Sequence, residues 1–400
     1  MEMIDKGKNH SRIDKAFEWA KKEGVIWATN KSNKERNADS SYKTYANIMK
    51  SYESYLQEKC GLKDITRAKP KHAVEFMQYQ INAYKNEEKG SAYTMRQFPH
   101  ALHALQMSAR ESGAYRGLKL GSKSDLLQLL NNNKIYRKSD ASKALKANAS
   151  DYQKVHAEIL NSKSPQSKTI ADIHQTQRYI GCRIHEAVKM KKQDVQFHKD
   201  GTATIYIKGK GGHDRWVSVK HKETITLLKE NTCNKKDGAF IFQVKNRRGN
   251  DKDKASAQKN CQDVIRAAAE RAAVDRNGKK YVTHSGRKVF AQERMNSYAR
   301  QSYKQLEKEL QQRIKKYPLD KNNRNKLEKK VRDELNEFRK KIDPKGKLYS
   351  KEHRDRKRAE RKFTHKELCQ FLVSVDTGHF RCNIMRFYCD YPNPSKDKST

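Results

Sequence analysis

Residues 176–186 read Thr176-Gln-Arg-Tyr-Ile-Gly-Cys-Arg-Ile-His-Glu186. The stretch lies between helices expected over 168–179 and 184–192. It therefore places Arg183 at a helix start, with Glu186 one turn on. Taken alone, the two residues describe a surface ion pair. Their surroundings give them a different meaning. Downstream, Thr202–Ile207 and Trp216–Val219 alternate apolar and polar residues and are rich in β-branched side chains. Between them, Lys208-Gly-Lys-Gly-Gly-His-Asp-Arg215 is a glycine-rich turn, so the two runs form a β-hairpin with a basic tip. Residues 238–244 are expected to add an edge strand. Further helices are expected at 254–273 and 285–317.

This mixed domain, 151–400, follows a polar linker of 133–150, rich in lysine and serine. Upstream, Tyr42, Tyr45, Ile48, Tyr52 and Leu56 recur at helical spacing, and three further helical segments follow before residue 133. Residues 39–132 thus form a small helical domain, with tyrosines packed in its core. Residues 1–38 are expected as an N-terminal extension with a helix over Ser11–Lys22. The fold class is mainly α with a small antiparallel sheet: a helical domain followed by an α+β domain. Within the latter, 294–362 stands apart. Leu306, Leu310 and Ile314 form one narrow stripe, and Leu327, Val331, Leu335, Phe338 and Ile342 another. These predict a charged helical hairpin that projects as an arm, each helix burying little beyond the other's seam.

Charge narrows the partner. Against 47 acidic residues stand 88 lysines and arginines, a formal net charge of +41. Such a surplus repels itself unless a polyanion compensates it, and nucleic acid does so by counterion release. The chain has 19 Tyr, 12 Phe and 3 Trp, which argue for packed cores rather than disorder. No apolar run is long enough for a membrane span, and no secretory h-region opens the chain. Seven scattered cysteines fit free thiols in a reducing cytoplasm. Cys369, Cys382 and Cys389 beside His365 and His379 match no common zinc spacing, so no metal is expected.

Four further segments join Arg183. The hairpin tip carries Lys210. Thr283-His-Ser-Gly-Arg287 puts His284 and Arg287 on one helix face, and Thr377-Gly-His379 is followed nine residues later by Tyr388. Phosphoryl transfer at a phosphodiester needs this set. Guanidinium forks suit charge on non-bridging oxygens. A tyrosine hydroxyl is a nucleophile that conserves bond energy as a phosphotyrosine ester. Histidine exchanges protons near neutrality, and a lysine can protonate a departing 5′ oxygen. Tyr391 is a rival nucleophile.

In this order the segments resemble the tyrosine recombinase, or phage integrase, family. Arg183 with Glu186 is similar to its Gly-x-Arg-x-x-Glu motif. Gly209-Lys-Gly with Arg215-Trp-Val resembles its hairpin motif, His284-Ser-Gly-Arg287 its His-x-x-Arg, and Gly378-His379 its Gly-His, with Tyr388 at the nucleophile's spacing. The resemblance covers about 39–293 and 363–391. The chain departs from it at Gly286, where an apolar residue is usual, and in the 92 positions between Arg287 and His379.

The resemblance implies a site-specific DNA recombinase, its two domains clamping duplex DNA like a C. Catalytic residues would be Arg183, Lys210, His284, Arg287, His379 and Tyr388, with Lys208, Arg215, Lys288 and Arg386 as DNA-binding candidates. It implies neither cofactor nor metal, four protomers on two duplexes, and a cytoplasmic, nucleoid-associated protein. It admits an accessory DNA-bending factor. Integration or excision of a mobile element, or dimer resolution, would be the role. The alternatives are a telomere resolvase, a type IB topoisomerase-like enzyme or a non-cleaving DNA-binding protein.

Overall fold

The computed structural model describes residues 11–25, 27, 39–88, 90–113, 115, 117–136, 144–209, 214–246, 248–316, 321–342 and 362–392. The chain divides into two compact units, Met1–Ser139 and Asp140–Thr400.

The first unit is helical: α1 (Ser11–Lys22), α2 (Asp39–Cys60), α3 (Pro70–Lys85), α4 (Ala92–Glu111) and α5 (Lys123–Asn132). Tyr52, Phe76 and Phe98 meet at its centre with ring centroids 4.9–5.2 Å apart. The N-terminal helix is not a separate extension. Ile13, Phe17 and Ala20 are buried in the same core. Trp27 packs against Phe17 and Tyr42 and donates from Nε1 to Ser108 Oγ at 3.1 Å.

The second unit contains α6 (Ala149–Leu160), α7 (Ser167–Ile180), α8 (Ile184–Val188), α9 (Lys222–Thr232), α10 (Lys254–Arg271), α11 (Thr283–Ala299), α12 (Tyr303–Lys316), α13 (Lys321–Ile342) and α14 (His365–Asp376). Its sheet is an antiparallel meander of β1 (Val195–Phe197), β2 (Ala203–Ile207) and β3 (Arg215–Val219). Ile205 faces both Val195 and Val217, so alternate residues of the hairpin enter the core. A two-stranded ribbon, β4 (Asp275–Arg276) with β5 (Lys279–Lys280), lies at its margin.

Three expectations are corrected. Residues 144–148 are not linker: Leu145 donates its N–H to Lys280, and Leu145 and Ala147 are buried in this unit's core. Residues 238–244 form no strand; Phe240 makes a single bridge to Lys191. The helix expected over 285–317 breaks at 300–302, because Ser302 and Gln305 form a reciprocal cap that starts α12 afresh.

The α12–α13 hairpin does not project as an arm. Leu306, Leu310, Ile314 and Leu327 are buried in one cluster with Phe371 and Leu372 of α14 and with Tyr388. The seams are narrow only for a pair of helices that pack on each other alone. In the structure α14 and the segment after it supply the remaining apolar surface. All seven cysteines are free thiols, and among the described residues no helix is long and apolar enough to cross a membrane.

Candidate active site

Helix α7 stops at Gly181 in the left-handed region, φ +68°, where a Cβ would sit 2.3 Å from the Phe290 ring. The chain turns there and delivers Arg183 to the start of α8. Glu186 closes the turn, accepting from the Arg183 N–H at 2.7 Å and from its Nη1 at 2.8 Å. The Glu186 side chain is 1% exposed. It also receives Arg215 Nη2 at 2.9 Å, and Arg287 Nη1 lies 3.8 Å away. Burial opposes its charge, but Arg215, Arg287 and Arg183 hold its carboxyl well below the usual range.

Helix α11 carries His284 and Arg287, one turn apart. Arg287 is fully buried. Its Nη1 donates to the Gly181 carbonyl at 2.9 Å and its Nη2 to the Thr377 carbonyl. The same Nη2 lies 3.1 Å from His379 Nε2, while Nε has no hydrogen-bond partner. Burial pulls the guanidinium down to about 10.

Tyr388 completes the cluster at the end of a 3-10 turn, Met385–Phe387. Its hydroxyl lies 2.8 Å from His284 Nε2, its ring 4.8 Å from that of His379, and the Arg287 guanidinium 5.7 Å from its centroid. Arg287 can only donate, so His379 accepts at Nε2, and the Tyr388 hydroxyl shares its hydrogen bond with His284 Nε2. Burial and the neighbouring arginines push His284 down to about 3 and lower His379 strongly as well.

Five of the six expected catalytic side chains, Arg183, His284, Arg287, His379 and Tyr388, thus converge. Lys210 lies outside the described residues. Tyr391 is not in the cluster: its hydroxyl is 2.9 Å from His365 Nδ1, whose other nitrogen donates to the Gln301 carbonyl. Two DNA-binding candidates are corrected. Arg215 is fully buried on Glu186 and donates from Nε to the Asp376 carbonyl at 2.9 Å. Lys288 is buried and caps the Ala144 carbonyl at 2.5 Å, and burial brings it down to about 8. A basic residue beside a motif reads the same whether it faces a ligand or neutralises a buried acceptor. Lys208 and Arg386 are exposed.

One buried group has no motif of its own in the sequence. Asp376, with its side chain 4% exposed, accepts from Arg313 Nη1 of α12 and from the Tyr298 hydroxyl, each at 2.7 Å. A polar residue next to Thr377-Gly-His379 was the only sign of it in the sequence. Gly378 shows why that turn carries a glycine: φ is +64°, and a Cβ would lie 2.7 Å from Arg215 Nη1. Among the described residues no group of acidic, cysteine and histidine side chains could hold a metal ion.

The sequence matches no family model and no curated protein. Solved structures do resemble the fold. One is a lambda integrase (residues 75–356) dimer bound to a COC′ core site: 15% identity over 70% of this chain and 88% of that one, TM-score 0.45. Another is the XerH site-specific recombinase bound to a palindromic difH substrate, in a post-cleavage complex: 17% identity, 72% and 84% coverage, TM-score 0.44. A third is the Tn1549 transposon integrase with a circular intermediate DNA: 13% identity, 71% and 87% coverage, TM-score 0.42.

Proposed function

We propose that this chain is a tyrosine-type site-specific DNA recombinase that cleaves and rejoins duplex DNA. The observation that carries the reading is the Tyr388 hydroxyl, 2.8 Å from His284 Nε2 and bordered by Arg287 and His379, on a chain of net charge +41. His284 accepts the phenolic proton as the Tyr388 oxygen attacks phosphorus. The P–O5′ bond breaks, leaving a 3′-phosphotyrosyl bond and a 5′ hydroxyl, to which Lys210 supplies the proton. A 5′ hydroxyl from a second duplex then reverses the step. Arg183 and Arg287 stabilise the charge on the non-bridging oxygens, with His379 assisting. The ester stores the energy of the broken bond, so the cycle needs no ATP.

The finer reading follows from the stoichiometry of exchange. Two duplexes have four strands, so complete exchange takes four nucleophiles and hence four protomers. The substrate is a defined site on double-stranded DNA in the cytoplasm, within the nucleoid, and the outcome is integration, excision or dimer resolution.

The test uses a pool of random-sequence nicked duplexes. The protein is incubated with the pool and denatured, and protein-linked strands are recovered and sequenced. The wild type is expected to enrich one site, linked through Tyr388. Tyr388→Phe should lose the adduct while duplex affinity stays within about threefold, since phosphate contacts spread over the protein carry affinity. An adduct that persists in Tyr388→Phe and vanishes in Tyr391→Phe would transfer the nucleophile to Tyr391. No adduct from the wild type sinks the reading.

A further inference from the structure

The inserted hairpin reaches the candidate site by two polar contacts as well as by packing. Arg313 of α12 donates from all three guanidinium nitrogens: Nε to Glu309 at 2.8 Å, Nη1 to Asp376 at 2.7 Å and Nη2 to the Tyr298 hydroxyl at 2.7 Å. Tyr298 in turn donates to the other oxygen of Asp376 at 2.7 Å, with Arg294 3.8 Å away. Asp376 thereby loses its freedom to rotate. Its own carbonyl accepts from Arg215, the next carbonyl from Arg287, and His379 stands three residues on. Gly378, between them, leaves no slack against Arg215. On α13, Glu334 accepts from the backbone N–H of Cys382 at 2.8 Å, where the segment leading to Tyr388 begins.

We infer that Arg313 and Glu334 are positioning residues. The α12–α13 insertion is a built-in brace that sets His379 through the 376–379 turn and Tyr388 through the 382–388 segment. The inference rests on the assignment of Tyr388 as nucleophile. The physical case is that two hydrogen bonds accepted by one buried carboxylate, and two more that fix their donors, over-determine a turn whose two carbonyls hold the site's buried arginines. A surface arm would need none of them. Misplacing a reacting group by about 1 Å costs roughly a hundredfold in rate, so the brace acts on rate rather than on DNA affinity.

Arg313→Met keeps the length of the stem and removes the donors. On the nicked duplex recovered from the pool, it is expected to slow single-turnover adduct formation by about a hundredfold, with duplex affinity within threefold. Arg313→Lys, which can still reach Asp376, should recover at least tenfold of that loss. In Arg313→Met/His379→Gln the two losses should not multiply, because one acts through the other. A DNA-free readout keeps the two readings apart. In 13C-histidine spectra, the His379 signal, assigned from its absence in His379→Gln, should shift or broaden in Arg313→Met while the circular dichroism is unchanged. If Arg313→Met does not fold, Tyr298→Phe removes two bonds of the network and Glu334→Met removes one, and each should give a smaller loss of the same kind. Wild-type rates with an unmoved His379 signal, or fully multiplicative losses, overturn the brace. A wild type that forms no adduct overturns the recombinase reading, and the histidine spectra still decide the brace.

Discussion

A histidine shows most directly what burial does at this site. His284 in the folded protein titrates near 3 instead of 6.5, first because it is buried and then because Arg287 and Arg183 face it. His379 and His174 are lowered for the same first reason. The folded state therefore binds fewer protons than the unfolded chain below the ordinary histidine value. The stability these groups contribute is complete above about pH 6.5 and drains as pH falls from there toward 3. Thermal unfolding should accordingly show a midpoint that drops from pH 7.5 to pH 5, before the carboxylates titrate. His379→Gln should flatten that drop, and an equal slope in the variant would mean that the imidazole is not buried neutral. At this scale the sequence was most legible. Arg183, His284, Arg287, His379 and Tyr388 each sit in a short motif whose chemistry is local. Arg313 was not legible, because its partner Asp376 is 63 positions away and an ion pair leaves no period behind.

Elements carry the larger correction. The apolar stripes of α12 and α13 were visible, but a stripe does not name the surface it covers. Leu306 is 0% exposed and Leu310 5%, in contact with a cluster that includes Tyr388. Leu306→Ala should cost about 3 kcal/mol of stability, the usual range for a buried leucine that cannot be refilled, measured by urea unfolding. Replacing 303–342 with a Gly/Ser linker should leave α14 uncovered, and the second unit should lose its cooperative unfolding transition. A spacer or mobile arm would be removable with no such loss. The break at 300–302 leaves no mark in the sequence pattern, because Ser302 and Gln305 form a cap of two polar side chains inside a pattern that continues apolar on both sides.

Each of the two units has its own apolar core, one built around Tyr52, Phe76 and Phe98, the other spanning α6, α7, α10 and α11. A fragment of residues 140–400 should therefore fold alone and contain every described residue of the candidate site. It is expected to form the Tyr388 adduct, but more weakly at a given DNA concentration and with a shallower dependence of affinity on salt, since fewer phosphates are neutralised. An unchanged salt slope would leave Met1–Ser139 without a role in DNA binding. Composition alone calls for a polyanionic partner, because net charge reports on the whole surface at once.

The burial of Tyr388, which leaves it 2% exposed, also governs how the resting protein meets small reagents. Tetranitromethane, which nitrates phenols from solvent, finds Tyr136 at 60% and Tyr79 at 48% exposure, yet it has no approach to the one phenol proposed to react. The proposed nucleophile is therefore expected to stay unmodified in the free protein. Nitration there would require residues around Tyr388 to open. Nitration of Tyr388, followed by mass spectrometry, would time that opening.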